Sequence, residues 1–336
     1  MTPTGAIDVH THVLPVRWPD YAARHGGARW PRLEGDPASA CRFFVGDAFD
    51  RTLGPEAFDP LRRIAHLDRC GIAGQVLSPP PDLFCYFADP AGALDFCRLQ
   101  NDNIARLVTA HPTRFIGAGT LPLQAPALAV KELERLVTDL GIRCIEVGSN
   151  VDGRDLDDES LVEVWAAAAA RDVSVFVHPV APVLAPERLR KHRLNQAVGF
   201  PLETALAMSR VVYGGIVERW PDLRWCWAHG GGAFAYILPR VDHGWDVQSA
   251  GRAAIPRPPS EYAGRFWVDS LTLSPRVLRF ALETYGEDHV VLGSDYPFKM
   301  GVDDPVRALA EVGLDGALAR KIREDNARAF LGRGVG

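Results

Sequence analysis

The first place along this chain where chemistry becomes possible is Ile-Asp-Val-His-Thr-His at residues 7–12, which carries His10 and His12. Side chains two apart on an extended strand point to the same face, so the two imidazoles could hold one metal ion together. Three later segments each end an apolar run on a further donor. Val-Phe-Val-His-Pro carries His178, Trp-Cys-Trp-Ala-His-Gly-Gly-Gly carries His229, and Val-Val-Leu-Gly-Ser-Asp-Tyr-Pro carries Asp295. A lone histidine is more often structural than a ligand, and among 10 histidines one i, i+2 pair means little. The combination of strand-end donors is what outlines a site. The other histidines considered, His25, His66, His111 and His289, fall in helical or loop contexts and are expected at the surface or as caps.

Three imidazoles and one carboxylate, from His10, His12, His178 and Asp295, suit a single Zn²⁺ with a position left for water. Mn²⁺ or Co²⁺ are the alternatives. Zinc pulls the pKa of such a water toward about 7. His229 is then the expected general base, and Asp295 is expected both to ligate and to carry a proton. A second metal would need a bridging ligand, often a carboxylated lysine at the end of strand 4 in binuclear barrels. The fourth strand here reads Arg-Cys-Ile-Glu-Val-Gly and has no lysine. Glu146 is a conceivable substitute, but one metal is the expectation. Gly230, Gly231 and Gly232 carry no side chains, so the backbone there can come close to a substrate.

The elements that must position these groups follow from alternation. Strand-like runs lie near Ile7–His12, Ala73–Ser78, Phe115–Leu121, Arg143–Val147, Ser174–His178, Arg224–His229, Phe266–Ser270 and Val290–Ser294. Helical patterns lie between them, near 56–70, 91–111, 126–139, 158–171, 202–219, 234–248 and 275–286, with a last helical region about 304–333. Strands alternating with helices imply a parallel sheet, and eight such strands close a (β/α)₈ barrel, an α/β fold that keeps its chemistry at the C-terminal strand ends. The connection after His12 is too long to be a plain loop. Residues 14–54 are therefore read as a small insertion over the barrel mouth, with a few short strands, and residues 1–13 and 55–336 as the barrel.

Composition excludes several classes. The 336 residues are 47% apolar and 24% charged with a net charge of −5, an ordinary globular balance. No basic block stands out, which argues against nucleic acid as a partner. No run approaches the roughly 18 apolar residues of a membrane span. The opening Met-Thr-Pro-Thr-Gly-Ala lacks the pattern of a secretory signal. The six cysteines are scattered without a C-x-x-C, so free thiols and a cytoplasmic setting are expected.

Together the motifs resemble the amidohydrolase superfamily, in the branch typified by α-amino-β-carboxymuconate-ε-semialdehyde decarboxylase. The resemblance runs over nearly the whole chain. Besides the four segments above it rests on Ala-His-Gly-Gly-Gly-Ala-Phe-Ala at 228–235, Pro-Arg-Pro-Pro-Ser-Glu-Tyr at 256–262, Phe-Trp-Val-Asp-Ser at 266–270 and Gly-Ser-Asp-Tyr-Pro-Phe at 293–298. It implies a distorted (β/α)₈ barrel, one zinc on His10, His12, His178 and Asp295, catalysis by His229, and loss of CO₂ from an unsaturated or aromatic carboxylic acid. It also implies that Arg51 and Arg240 bind substrate carboxylate, work that suits a planar guanidinium, with His192 and Phe298 at the pocket. Without the resemblance, both arginines read as solvated charges. Two departures from the family pattern stand out, Asp47 in place of a lysine and His192 in place of a tryptophan. They predict an intact machinery with an altered pocket. A hydrolase or hydratase using the same site is the rival expectation, and a metal-binding barrel without catalysis a weaker third. Arg240 lies eleven residues past His229 on the following helix, so at about 1.5 Å per residue it is carried roughly 10 Å or more from the strand end. A homodimer in which Arg240 serves the neighbouring site is therefore expected.

Overall fold

The computed structural model describes residues 3–180 and 186–332. Eight parallel strands carry the fold: β1 Ile7–His12, β2 Gly74–Ser78, β3 Phe115–Gly117, β4 Cys144–Gly148, β5 Ser174–His178, β6 Trp225–Trp227, β7 Phe266–Asp269 and β8 Val290–Val291. They form two sheets, one ordered β1-β2-β3 and one ordered β8-β7-β6-β5-β4. Isolated parallel bridges join the sheets at both seams. Gly119 pairs with Ile145 between β3 and β4, and Thr11 pairs with Tyr296 beyond β8. At the second seam backbone bonds continue past the short β8, from Val9 N to Leu292 O at 2.9 Å and from Asp295 N to His10 O at 2.8 Å. The neighbour order is that of a (β/α)₈ barrel whose ladder loosens at two places.

The strands read as continuous apolar runs because helices cover the outside and side chains fill the inside. Every residue of β1, β2, β4, β5 and β6 is buried. The helices between them start where the sequence offers a cap and a proline. Asp59 accepts from Leu61 N at the head of Pro60–Cys70, and Asp89 accepts from Ala91 N and Gly92 N at the head of Pro90–Ala110. The proline at the first helical position costs nothing, because its missing N–H would have no partner there.

The long connection after β1 is ordered. It holds a short helix, Tyr21–His25, and a three-stranded antiparallel sheet of Pro31–Asp36, Ala40–Val45 and Ala48–Leu53. Tyr21, Trp30, Cys41, Phe43 and Leu53 pack with Leu83 and Phe96 into a cluster shared with the segments that follow β2. The last helical region is not continuous. It is divided into Pro305–Ala310 and a run from Gly316 to Leu331 whose middle turn, Lys321–Asp325, is π-helical. Gly313 at φ 67° ends the first piece, and Asp315 caps the second through Ala317 N and Leu318 N. Residue 333 lies outside the described residues.

One histidine expectation is corrected. His66 is buried at 2% exposure and stacks on Tyr296 with ring centroids 4.2 Å apart, because its helix face packs under the β8 exit. His111 does end its helix, and its backbone N–H bonds Leu107 O and Val108 O. All six cysteines are free thiols. Among the described residues no helix is long and apolar enough to cross a membrane.

Candidate active site

The five sequence-derived donors converge at the C-terminal end of the barrel. Ligand atoms of His10, His178, His229 and Asp295 all lie within 4.8 Å of one another. His12 joins through Asp295, its Nε2 lying 3.0 Å from Oδ1. The carboxylate divides its two oxygens. Oδ1 faces His12 and, at 3.6 Å, His10 Nε2, whereas Oδ2 faces His229 Nε2 at 3.9 Å.

Which ring nitrogen is free is fixed by the opposite one. His10 Nδ1 lies 2.6 Å from Asp269 Oδ2, His12 Nδ1 lies 3.3 Å from Pro79 O, and His178 Nδ1 lies 2.8 Å from Pro179 O. Each oxygen is an acceptor, so each Nδ1 carries the proton and each Nε2 presents a lone pair. Those three Nε2 atoms and Asp295 Oδ1 are buried and have no hydrogen-bond partner. Buried polar atoms are normally paired, so four orphans on neighbouring side chains at this end of the barrel fit a divalent cation. Second-sphere acceptors of this kind are what orient metal-bound histidines. Burial, and after it the neighbouring imidazoles, hold the His178 pKa well below its ordinary value, so the ring stays neutral. Burial would raise Asp295, but the close imidazoles of His12, His229 and His10 outweigh it and hold the carboxyl well below its ordinary range.

Two residues of the site leave regular geometry. His229 sits at φ 57° and Asp295 at φ 62°, a left-handed conformation uncommon outside glycine. Gly230, Gly231 and Gly232 continue the turn at φ 62°, 74° and 60°. Strand β6 thus stops at Trp227 and the chain swings His229 inward. Ser294 precedes Asp295 and is anchored by Asp8, its Oγ donating to Oδ2 at 2.6 Å. Arg63 ties down the end of β1, bonding His12 O at 2.8 Å and Thr11 Oγ1 at 3.1 Å.

Asp269, at the end of β7, is a site residue to which the sequence assigned no role. Its Oδ2 takes both His10 Nδ1 and His229 N, the latter at 2.9 Å, and its Oδ1 accepts from Gly230 N at 2.8 Å. One carboxylate therefore orients a donor imidazole and the turn bearing His229. The motif Phe-Trp-Val-Asp-Ser contained the signal, a buried-strand aspartate, but not its partner.

Above the donors opens a cavity of about 1330 Å³ lined by His178, His229, Asp295, Arg51 and Phe298. His10 and His12 do not line it; they lie beneath. Arg51 comes from the last strand of the small sheet. Its Nη2 donates to Asp82 Oδ2, its Nε lies 3.3 Å from Asp50 Oδ2, and its guanidinium stands 4.5 Å over the Phe298 ring. Phe298 in turn stacks on His12 at 5.2 Å. Glu146 is buried, with Oε1 3.8 Å from His12 Nδ1, and burial pushes its pKa up to about 8. His192 is exposed at φ 61° and is not part of the lining, to which Arg190 and Arg193 contribute instead. Asp47 is exposed in the turn between two strands of the small sheet, likewise outside the lining. Arg240 is exposed on the helix Phe234–Val247 and does not reach its own cavity.

Comparison with known proteins places the fold. The 2-amino-3-carboxymuconate-6-semialdehyde decarboxylase of Dictyostelium discoideum is 37% identical over 328 residues, covering 97% of this chain and 91% of its own. The crystal structure of a 5-carboxyvanillate decarboxylase from Sphingomonas paucimobilis superimposes with a TM-score of 0.82 at 25% identity, over 97% of this chain and 98% of its own. A 5-carboxyvanillate decarboxylase from Novosphingobium aromaticivorans, solved with manganese and 4-hydroxy-3-methoxy-5-nitrobenzoic acid, matches at 27% identity and a TM-score of 0.75 over 82% of this chain and 81% of its own. The two 5-carboxyvanillate decarboxylases share the barrel fold described above. Residues 7–333 match the family described as Amidohydrolase, and on that match and the 37% identity the chain belongs to the amidohydrolase family.

Proposed function

We propose that this chain, a metal-dependent decarboxylase by its family and relatives, removes CO₂ without oxidation from an unsaturated or aromatic carboxylic acid, using one zinc ion per chain. His10, His12, His178 and Asp295 would hold the ion. The observation that carries this is the set of three orphaned imidazole Nε2 atoms and one orphaned carboxylate oxygen buried together at the base of a cavity. Zinc prefers this nitrogen-rich donor set, although manganese would serve the same ligands. When bound, the metal supplies Lewis acidity and an ionisable water at neutral pH.

The chain's own residues do the rest. His229 is half-buried, lines the cavity, and faces Asp295 Oδ2 through Nε2. It acts as the base and holds the proton at that nitrogen. The bond from the ring or alkene carbon to its carboxylate breaks, its electron pair stays on the carbon, CO₂ leaves, and a proton that His229 has taken from water passes to that carbon, with Asp295 behind the imidazole. Arg51 faces a substrate carboxylate across the cavity, and Phe298 supplies an apolar wall. The segment 14–54 acts as the cap that carries Arg51, with residues 1–13 and 55–336 as the barrel. The active unit is a homodimer to which Arg240 contributes from the neighbouring subunit.

The test is metal analysis joined to a labelled-carboxylate panel of unsaturated and aromatic acids. About one equivalent of metal per chain and label released as CO₂ are the expected results. Label retained wholly in the organic product would replace decarboxylation by hydration or hydrolysis, and two equivalents bridged through Glu146 would replace the mononuclear site.

A further inference from the structure

We propose that Asp82 is a specificity-determining residue: it holds the guanidinium edge of Arg51 that a substrate carboxylate would use, so only a carboxylate able to displace it binds there. This rests on the reading of Arg51 as substrate-facing.

The placement begins with Ser-Pro-Pro-Pro-Asp at 78–82, directly after β2. Three successive prolines fix φ and stiffen the exit. Pro79 O meets His12 Nδ1, and three residues later Asp82 stands in the turn Pro81–Leu83. One rigid segment therefore sets both a donor imidazole and the partner of Arg51. A guanidinium binds carboxylate through two parallel N–H groups, either end-on through Nη1 and Nη2 or side-on through Nε and Nη2. Nη2 belongs to both forks, and it is the atom bonded to Asp82. Asp50 sits beside Nε. Phe298 covers a face of the guanidinium, leaving approach by an edge. Arg51, Asp50 and Asp82 all line the cavity. One cation thus already faces two carboxylates, and the cluster is net anionic. A third carboxylate meets like-charge repulsion until Asp82 swings off. A substrate without a carboxylate at this wall meets no such barrier.

Asp82→Asn removes the charge while keeping size and hydrogen-bonding capacity. The probes are 4-hydroxy-3-methoxy-5-nitrobenzoate and the same ring lacking its carboxyl group, measured by calorimetry on the metal-loaded protein. The expected result is that Asp82→Asn binds the acid roughly three- to ten-fold more tightly. The ring without the carboxyl group should bind as it does to the parent, and the gain should vanish in an Arg51→Gln, Asp82→Asn double variant. Acid binding that is unchanged, weaker or undetectable in Asp82→Asn overturns the proposal, as does an equal gain for the ring lacking the carboxyl group or a gain that survives without Arg51. Arg51→Gln alone separates the two readings. If it leaves acid binding unchanged, the substrate-facing role of Arg51 falls and takes Asp82 with it. If it weakens the acid while Asp82→Asn brings no gain, only the role of Asp82 fails.

Discussion

His229 differs from the other imidazoles of the site in ways that bear on its role. His10, His12 and His178 are buried and keyed by an acceptor at Nδ1, whereas the His229 side chain is 19% exposed and lines the cavity. It also faces the Asp295 oxygen turned away from His10 and His12. A group placed like this can exchange a proton with substrate without surrendering the metal. His229→Ala is therefore expected to keep its metal and lose activity by about 10²- to 10⁴-fold, the range for a general acid–base group. Metal content and turnover measured on the same preparation check it; loss of both together would make His229 a ligand. These five donors were legible because His10 and His12 share a face of the first strand and the other three end apolar runs. Asp269 was not, because an aspartate at a strand end reads equally as a turn or cap, and its partner His10 lies 259 positions away. Arg51 was legible only through family resemblance, and its carboxylate partners Asp50 and Asp82 through nothing in the spacing.

At the scale of elements, periodicity located all eight strands and missed how they end. Strands β3, β6 and β8 are two or three residues long, shorter than their apolar runs. The chain leaves the ladder early at β6 and β8 to aim His229 and Asp295, and left-handed backbone at a histidine and an aspartate has no sequence signature. The small sheet of the first connection was legible in outline, as an over-long connection read as an insertion with a few short strands. The glycine run after β6 shows what such an exit requires. Gly232 stands at φ 60°, ψ −130°, a region nearly reserved for glycine. A Cβ there would come 2.5 Å from Pro201 O and 2.9 Å from Thr204 Cβ. Backbone strain of about 1–3 kcal/mol adds to that clash. Gly232→Ala should therefore lower the unfolding free energy by at least about 1 kcal/mol and reduce turnover by displacing His229. Denaturant melts of the metal-loaded variant check the first part; a melt matching the parent would mean the turn can relax.

At the scale of the whole molecule, Arg240 is the question left by a single chain. It is exposed on the helix Phe234–Val247, away from its own cavity. It shares a face with Tyr236, 82% exposed, and Val247, 57% exposed, at the four- and seven-residue steps that align side chains along a helix. An aromatic, a cation and an aliphatic left together on one helix face suit a symmetric interface, and two-fold pairing is the commonest closed arrangement. The bland alternative is a solvated charge, worth little. Mixing separates them. Chains carrying Arg240→Ala and chains carrying His229→Ala are each inactive alone if both groups are needed. If Arg240 acts across the interface, a mixed dimer has one site with both defects and one with neither. Random exchange at equal amounts makes half the dimers mixed, so about a quarter of parent activity should return. If Arg240 acts within its own chain, every site in the mixture retains one defect and no activity returns. The exchange must be run at concentrations where light scattering reports dimers, because a fully active monomer would remove the need for a neighbour altogether.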